Sequence, residues 1–357
     1  MPCGGTHRRQ PILLLPTLTS TTHSSSAHAP EEIALRSGIE VPPLLLPDPA
    51  RVFAARGLRL RQLAAGHAMR DYLMLLALVC EAQHARAVGG PALPLPAQVR
   101  REAAAEAGEP LLNALGWPRD ALWRTELRAL LGQVIDRLAH DNPARTAVHS
   151  AIALPDETLE QQADRLLAGI TTGVDLATAP LIAAGLQLYF TRMVAASGAA
   201  HADAFALPEA GTRCPCCGSL PVASLTRLGG VQEGQRYLHC TLCNAQWHLN
   251  RIRCTHCLAT EGIGYRALQP VAEESAPAQP AAIEAETCEG CRHYLKIMHM
   301  ARDLHVEPVA DDLATLTLDL LVSEAGFERH GTNMLLLFGD SDSVSEEGTG
   351  QAGAPRS

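Results

Sequence analysis

The chain has 357 residues, 47% of them apolar, 4% aromatic and 19% charged, with a formal net charge of −9. That length suits two or three domains, and that apolar share supports a sizeable core, which excludes wholesale disorder. The charge also speaks against a general nucleic-acid binder, which needs a basic face to displace phosphate counterions; the stretch from Gly211 to Met300 is near neutral, with 8 Lys+Arg against 7 Asp+Glu.

Residues 1–40 are rich in Ser, Thr and Pro and read as a disordered or poorly ordered extension. Arg8 and Arg9 give the start a superficial likeness to an export signal, but Pro11 and Pro16 interrupt a very short apolar run. No apolar run approaches the ~20 residues of a membrane span; the best candidate, Tyr72–Cys80, is short and sits in a helical pattern. Val41–Val52 is a proline-punctuated lead-in with Asp48 available as a cap. Helical periodicity then runs from Ala50 to Val88 with a break at Ala65–His67, and resumes in Leu122–His140, Asp156–Ile170 and Asp175–Ser197. Residues 41–208 are therefore expected to form an all-α domain.

At Gly211 the pattern changes to short β-type runs, in Arg236–Cys240 and Ala245–Cys254, with another in Tyr294–Met298. Pro308–Gly326 reads as a closing helix ended by Gly326. Residues 341–357 read as a disordered Ser/Gly/Glu tail. The expected fold is α+β: a helical N-terminal domain, two tandem rubredoxin-like or zinc-ribbon β modules (209–250 and 251–340), and a C-terminal helix.

Nine of the 11 cysteines fall between Cys214 and Cys291, and eight of those form four Cys-x-x-Cys pairs. A secreted disulfide framework spreads its cysteines over a small chain, whereas pairs at two-residue gaps in a large chain read as metal ligands. A Cys-x-x-Cys turn places two sulfurs on one side of a tight loop, and two such turns face to face give a tetrahedral four-sulfur site. Gaps of 22 and 30 residues separate Cys214/Cys217 from Cys240/Cys243 and Cys254/Cys257 from Cys288/Cys291, with 10 residues between the two halves. Sequential pairing into two mononuclear four-cysteine sites is favoured, with interleaved pairing as the alternative. Four thiolates accept iron or zinc alike.

Three cysteines fall outside this scheme. Cys216 reads as a bystander, Cys80 as core packing on a helix face, and Cys3 lies in the extension. His239, His248 and His256 lie near the sites, but the thiolate count is complete without them. Trp247 is expected to pack under a knuckle, and Asp311 and Asp312 to favour a helix N-terminus. Lys296 is the sole lysine, which together with the alanine richness reads as coding bias. No nucleophile elbow, P-loop, zincin or dinucleotide-binding motif is present in the sequence, and no catalytic residue is assigned.

The segments Arg213–Ser224, Gly234–His248, Arg251–Cys257, Ile283–Ile297 and Val306–Asp319 together resemble the formate dehydrogenase accessory protein (FdhE) family. Pro42–Ala64 and Arg70–Gln83 are similar to its helical N-terminal region, and Arg329–Asp340 to its C-terminal end. The resemblance implies a cytoplasmic, non-enzymatic maturation factor whose partner is the catalytic subunit of formate dehydrogenase. It also implies two rubredoxin-like modules, each holding one iron, which place the ligands at Cys214, Cys217, Cys240, Cys243, Cys254, Cys257, Cys288 and Cys291. A redox-responsive role for the iron, purely structural zinc in an interaction protein, and a thiol-dependent redox enzyme are the competing readings. A homo-oligomer is compatible with each.

Overall fold

The computed structural model describes residues 17–21, 41–201, 203–205, 211–229, 233–269 and 280–337. Cys3, most of the N-terminal extension and the tail lie outside them. Within the first forty residues, Thr17–Thr21 form a strand, β1, where the sequence suggested only a poorly ordered extension.

Among the described residues, seven helices build the N-terminal region: α1 (Val52–Leu63), α2 (Arg70–Gly89), α3 (Gln98–Ala107), α4 (Leu122–Arg137), α5 (Ala144–Ala153), α6 (Asp156–Ala168) and α7 (Ala179–Ala200). The expected break after α1 falls where Gly66 takes a positive φ of 74°, a conformation that glycine enters at no steric cost. Helix α7 is the hub. It is long and apolar enough to pass for a membrane span, a candidate that the reading of apolar runs missed, but 83% of its most apolar window is buried inside the protein. Leu127 and Leu130 from α4, Leu76 and Val79 from α2, and Leu186 and Phe190 from α7 share one core.

The remaining strands are β2 (Leu44–Leu45), β3 (Pro221–Thr226), β4 (Arg236–Cys240), β5 (Gln246–His248), β6 (Ile263–Gln269), β7 (Ile283–Cys288), β8 (His293–His299) and β9 (Glu328–Arg329). They form one mixed sheet in the order β1-β6-β7-β8-β3-β4-β5-β2, with β9 also on β8. The two cysteine modules are thus two antiparallel meanders, β3-β4-β5 and β6-β7-β8, fused through the parallel pairing of β3 with β8, in which Ser224 lies opposite Ile297 and Thr226 opposite His299. A buried ion pair crosses between the modules, from Arg236 on β4 to Glu286 on β7 at 2.7 Å.

The closing helix is split in two at Thr315, into α8 (Pro308–Ala314) and α9 (Leu316–Glu324). Glu307 caps α8 by accepting the Val309 and Ala310 amides at 3.1 and 2.7 Å, which satisfies two otherwise orphaned donors. Asp311 and Asp312 do more than complement a helix dipole. Asp311 accepts the Glu307 amide at 2.7 Å and pairs with Arg59 of α1 at 2.6 Å. Asp312 lies in a buried cluster with Lys296 (3.2 Å), Arg329 (2.7 Å) and the Asn333 amide (2.9 Å). The sole lysine is therefore a fully buried structural cation, bound also to Asp319 at 2.5 Å, and not a mere trace of codon usage. Helix α9 and Phe327 cover the second module with a separate small core that includes Ala285, Tyr294, Leu318 and Val322.

Candidate metal centres

The structure gathers the eight paired cysteines into two groups, Cys214/Cys217/Cys240/Cys243 and Cys254/Cys257/Cys288/Cys291, in each of which all four sulfurs lie within 4.8 Å of one another. The grouping is sequential, not interleaved. Sulfur–sulfur distances are 3.5 Å for Cys214–Cys243, 3.4 Å for Cys217–Cys240, 3.6 Å for Cys254–Cys291 and 3.7 Å for Cys257–Cys288. A tetrahedron with metal–sulfur bonds of ~2.3 Å has edges of about 3.8 Å, whereas a disulfide needs ~2.05 Å. The spacing fits four thiolates around one cation.

Each knuckle is made the same way. The residue after its second cysteine takes a left-handed conformation: Gly218 (φ 75°), Asn244 (59°), Leu258 (63°) and Arg292 (59°). In three of the four the turn is closed by a backbone bond to the first cysteine's carbonyl, from Gly218 to Cys214 (2.8 Å), Leu258 to Cys254 (3.1 Å) and Arg292 to Cys288 (2.9 Å). That conformation costs leucine and arginine about 1–2 kcal/mol each, and it aims backbone amides at sulfur. Leu242 and Cys243 donate to Cys240 Sγ at 3.4 Å each, and His256 and Cys257 donate to Cys254 Sγ at 3.4 and 3.5 Å. Such donors favour thiolate.

Burial pushes the Cys214, Cys240 and Cys243 thiols well above the ordinary value. Burial would raise Cys217 too, but hydrogen bonds from the other three thiols and Ser219 outweigh it and hold Cys217 well below. A bound metal ion would supply the positive charge that favours ionisation of these buried thiols.

The two centres differ in setting. All four cysteines of the first are buried and belong to the main core. Its knuckles are tied to the helical region: Leu112 and Ala114 donate to the Cys216 and Cys217 carbonyls at 3.0 and 2.9 Å. Gln187 of α7 donates to the Thr241 carbonyl at 2.8 Å, and Asn244 bridges Arg56 (2.6 Å) and Thr191 (2.8 Å). Fully buried Arg56 also reaches Glu307 at 3.0 Å, linking α1, the first centre and the cap of α8. In the second centre Cys257 is exposed and Cys291 half-buried, and neither belongs to a hydrophobic core.

Cys216 is buried beside the first cluster; burial raises its thiol, but the neighbouring Cys214 and Cys243 thiols bring it down to about 7. Cys80 lies in the helical core, pushed up to about 12 by burial. Trp247 is buried and donates to the Gly211 carbonyl at 2.8 Å, just before the first knuckle. His248 contacts Gln235 at 3.1 Å. His256, in contrast, lies within 4.8 Å of Cys291, together with His293, which sequence reasoning overlooked although it follows Cys291 by two positions.

His239 is engaged by Asn244 (3.1 Å) and Gln246 (3.0 Å). Burial, helped by the Arg56 charge, pushes its imidazole down to about 3. The folded chain therefore keeps the ring neutral, whereas the unfolded chain takes up a proton below about pH 6.5. Stability from this group is fully present above that pH and is lost as pH falls toward the folded value, by about 2 kcal/mol between pH 6.5 and 5. A His239→Gln protein should lose correspondingly less stability over that interval. Denaturant midpoints at pH 7 and pH 5 measure this, and equal losses in both proteins would refute it.

Comparison with known proteins agrees with this architecture. Family models described as "FdhE, N-terminal", "FdhE, central domain" and "FdhE, C-terminal domain" match residues 41–203, 213–251 and 252–336. The chain is 36% identical over 308 residues to "Protein FdhE homolog" of Cronobacter sakazakii, covering 86% of this chain and 95% of that protein. It is 35% identical over 308 residues to "Protein FdhE" of Salmonella dublin, with the same coverage. The crystal structure of the FdhE protein from Pseudomonas aeruginosa superposes with a TM-score of 0.70 at 33% identity, over 84% of this chain and all (100%) of that one. With its helical region, its paired knuckles and its closing helices all matched in order, the chain belongs to the FdhE family.

Proposed function

We propose that this protein is a cytoplasmic, non-enzymatic maturation factor that binds the catalytic subunit of formate dehydrogenase. The observation that carries the reading is the pair of four-sulfur clusters, built on one sheet and anchored to a helical body in a chain of the FdhE family. Cys214, Cys217, Cys240 and Cys243 hold one metal ion, and Cys254, Cys257, Cys288 and Cys291 hold the other. Iron is the proposed metal, and a ferrous–ferric change at such a centre alters its charge by one unit without altering its ligands. The protein's own part is to position four thiolates, direct amide donors at them and shield the first centre from water. Zinc in the same positions would serve folding alone.

The test has two parts. Protein purified without oxygen should contain two iron ions per chain and develop a thiolate-to-iron absorption band in air; two zinc ions and no colour would remove the redox role. Deletion of the gene should abolish formate dehydrogenase activity in cells grown on formate respiration, with the catalytic subunit co-purifying with the tagged factor in the complemented strain. Full activity in the deletion strain would reject the maturation role.

A further inference from the structure

Strands from the start of the chain close both edges of the sheet. β1 stands at one end of the strand order and β2 at the other, 23 positions apart from Thr21 to Leu44. The two edges are held differently. On the β5 side the cover is built in: the Pro43 carbonyl accepts the His248 amide at 3.0 Å, the Pro42 carbonyl accepts the Tyr237 hydroxyl at 2.8 Å, and Leu44 packs on the main core. On the β6 side β1 lies antiparallel over five residue pairs, from Thr17 opposite Gln269 to Thr21 opposite Tyr265. In its sequence, Thr-Leu-Thr-Ser-Thr, only Leu18 is apolar. That side chain is half-buried, opposite Leu268 and at the margin of the small core under α9.

The edge and its cover are separable parts of the chain. β6 lies inside the C-terminal domain matched at residues 252–336, whereas β1 precedes residue 41, where the match to the N-terminal domain begins. Seven strand-to-strand steps lead from β1 to β2, about 34 Å at ~4.8 Å each. The 23 positions between them reach up to about 80 Å. The connecting length exceeds the gap about twofold, so β1 can leave β6 without disturbing β2. A segment tethered at this range is held at an effective concentration on the order of millimolar. A short strand with one apolar anchor therefore stays seated in the free protein and yields to a segment that binds better. Stripped of β1, β6 presents a row of unpaired main-chain donors and acceptors, which is a template for strand addition.

We propose that the outer edge of β6 is a docking site for an extended segment of a partner polypeptide, and that β1 is its resident competitor. The incoming segment runs antiparallel to β6 along Tyr265–Gln269, exchanges main-chain hydrogen bonds with it and places an aliphatic side chain where Leu18 stands. The resident strand shows what the edge accepts: five extended residues, hydroxyl-bearing apart from one leucine. Until the partner arrives, β1 shields the edge from pairing with other chains. None of the paired residues is a cysteine, so the site does not depend on the metal centres.

Hydrogen exchange of the full-length protein gives the first test: amides joining β1 to β6 should exchange at least tenfold faster than those joining β7 to β8. The second test uses a fluorescent synthetic peptide of the sequence Pro16–Thr22. The full-length Leu18→Asp protein, whose own strand is unseated, should bind this peptide at least tenfold more tightly than the wild-type protein does. A peptide that itself carries Leu18→Asp should bind neither. Equal protection at the two strand pairs, no binding of the peptide to the variant, an affinity equal to that of the wild-type protein, or binding indifferent to the peptide's leucine overturns the proposal. So does a Leu18→Asp protein that fails to fold, which would make β1 an integral strand. A variant that dimerises and excludes the peptide overturns it too, and assigns the edge to a second copy of the chain.

Discussion

Replacing Cys217 or Cys240 by serine is expected to cost the protein its fold, while Cys257→Ser should cost it one metal ion and a modest drop in melting temperature. The difference follows from where the centres sit. The first cluster is embedded in the main core, and its knuckles carry the hydrogen bonds from Leu112, Ala114 and Gln187 that seat the helical region on the sheet. A structural thiolate site contributes about 10–16 kcal/mol in small metal-dependent folds, as much as or more than the ~5–15 kcal/mol net stability of a typical domain. The second cluster lies outside both hydrophobic cores and is open at Cys257, so its loss should loosen the second meander and spare the rest. Metal content per chain and thermal melts of the three variants decide the matter. Equal losses at the two centres would show that burial does not set their structural weight.

The second large effect is expected at Lys296. Its ammonium is fully buried between Asp312 and Asp319, and it also donates to the Asp312 and Thr315 carbonyls at 2.9 and 3.2 Å. Lys296→Met keeps the volume but leaves two buried carboxylates to share Arg329, whose contacts are 2.7 and 3.4 Å. Removing one partner of a buried pair costs about 3–5 kcal/mol. At about 2–4 °C per kcal/mol for a medium-sized domain, the melting temperature should fall by roughly 10 °C. Adding Asp319→Asn removes the surplus charge and keeps an acceptor for the Tyr294 hydroxyl, now 2.8 Å from Asp319. The double variant should therefore recover part of the loss, and a coupling energy near zero in the melts would contradict the cluster's role.

The helices and the clusters were legible in the sequence for different reasons. Helices α1, α2, α4, α6 and α7 show an apolar face at helical spacing, and the knuckles are local, so four cysteine pairs announce themselves without tertiary information. Helices α3 and α5 are short: α3 buries no residue fully and α5 only Val148 and Ala151, so neither displays a strong apolar stripe. Strand β3 was missed because all six of its residues are buried, which erases the alternation by which a half-buried strand is recognised. The parallel join of β3 to β8 has no local signature at all. Nor has the approach of His330, which follows β9, to the His256–His293 pair.

The ties between the two ends of the chain carry a consequence for its synthesis. Arg56 and Arg59 of α1 bind Glu307 and Asp311 across about 250 residues of intervening chain, and β3 cannot gain its parallel neighbour until β8 has been made. A nascent chain leaving the ribosome at ~5–20 residues per second therefore exposes α1 for some tens of seconds, and the half-built sheet for about 4–15 s, before each can close. Closing such long loops is entropically costly and places the fold among slow, high-contact-order topologies. A chain truncated before Glu307 would lack the anion for its buried Arg56 and both closing helices. The arrival of Glu307 and Asp311 with α8 is thus the event that ties α1 in place, and products that stop short of it should be more open to proteolysis at α1.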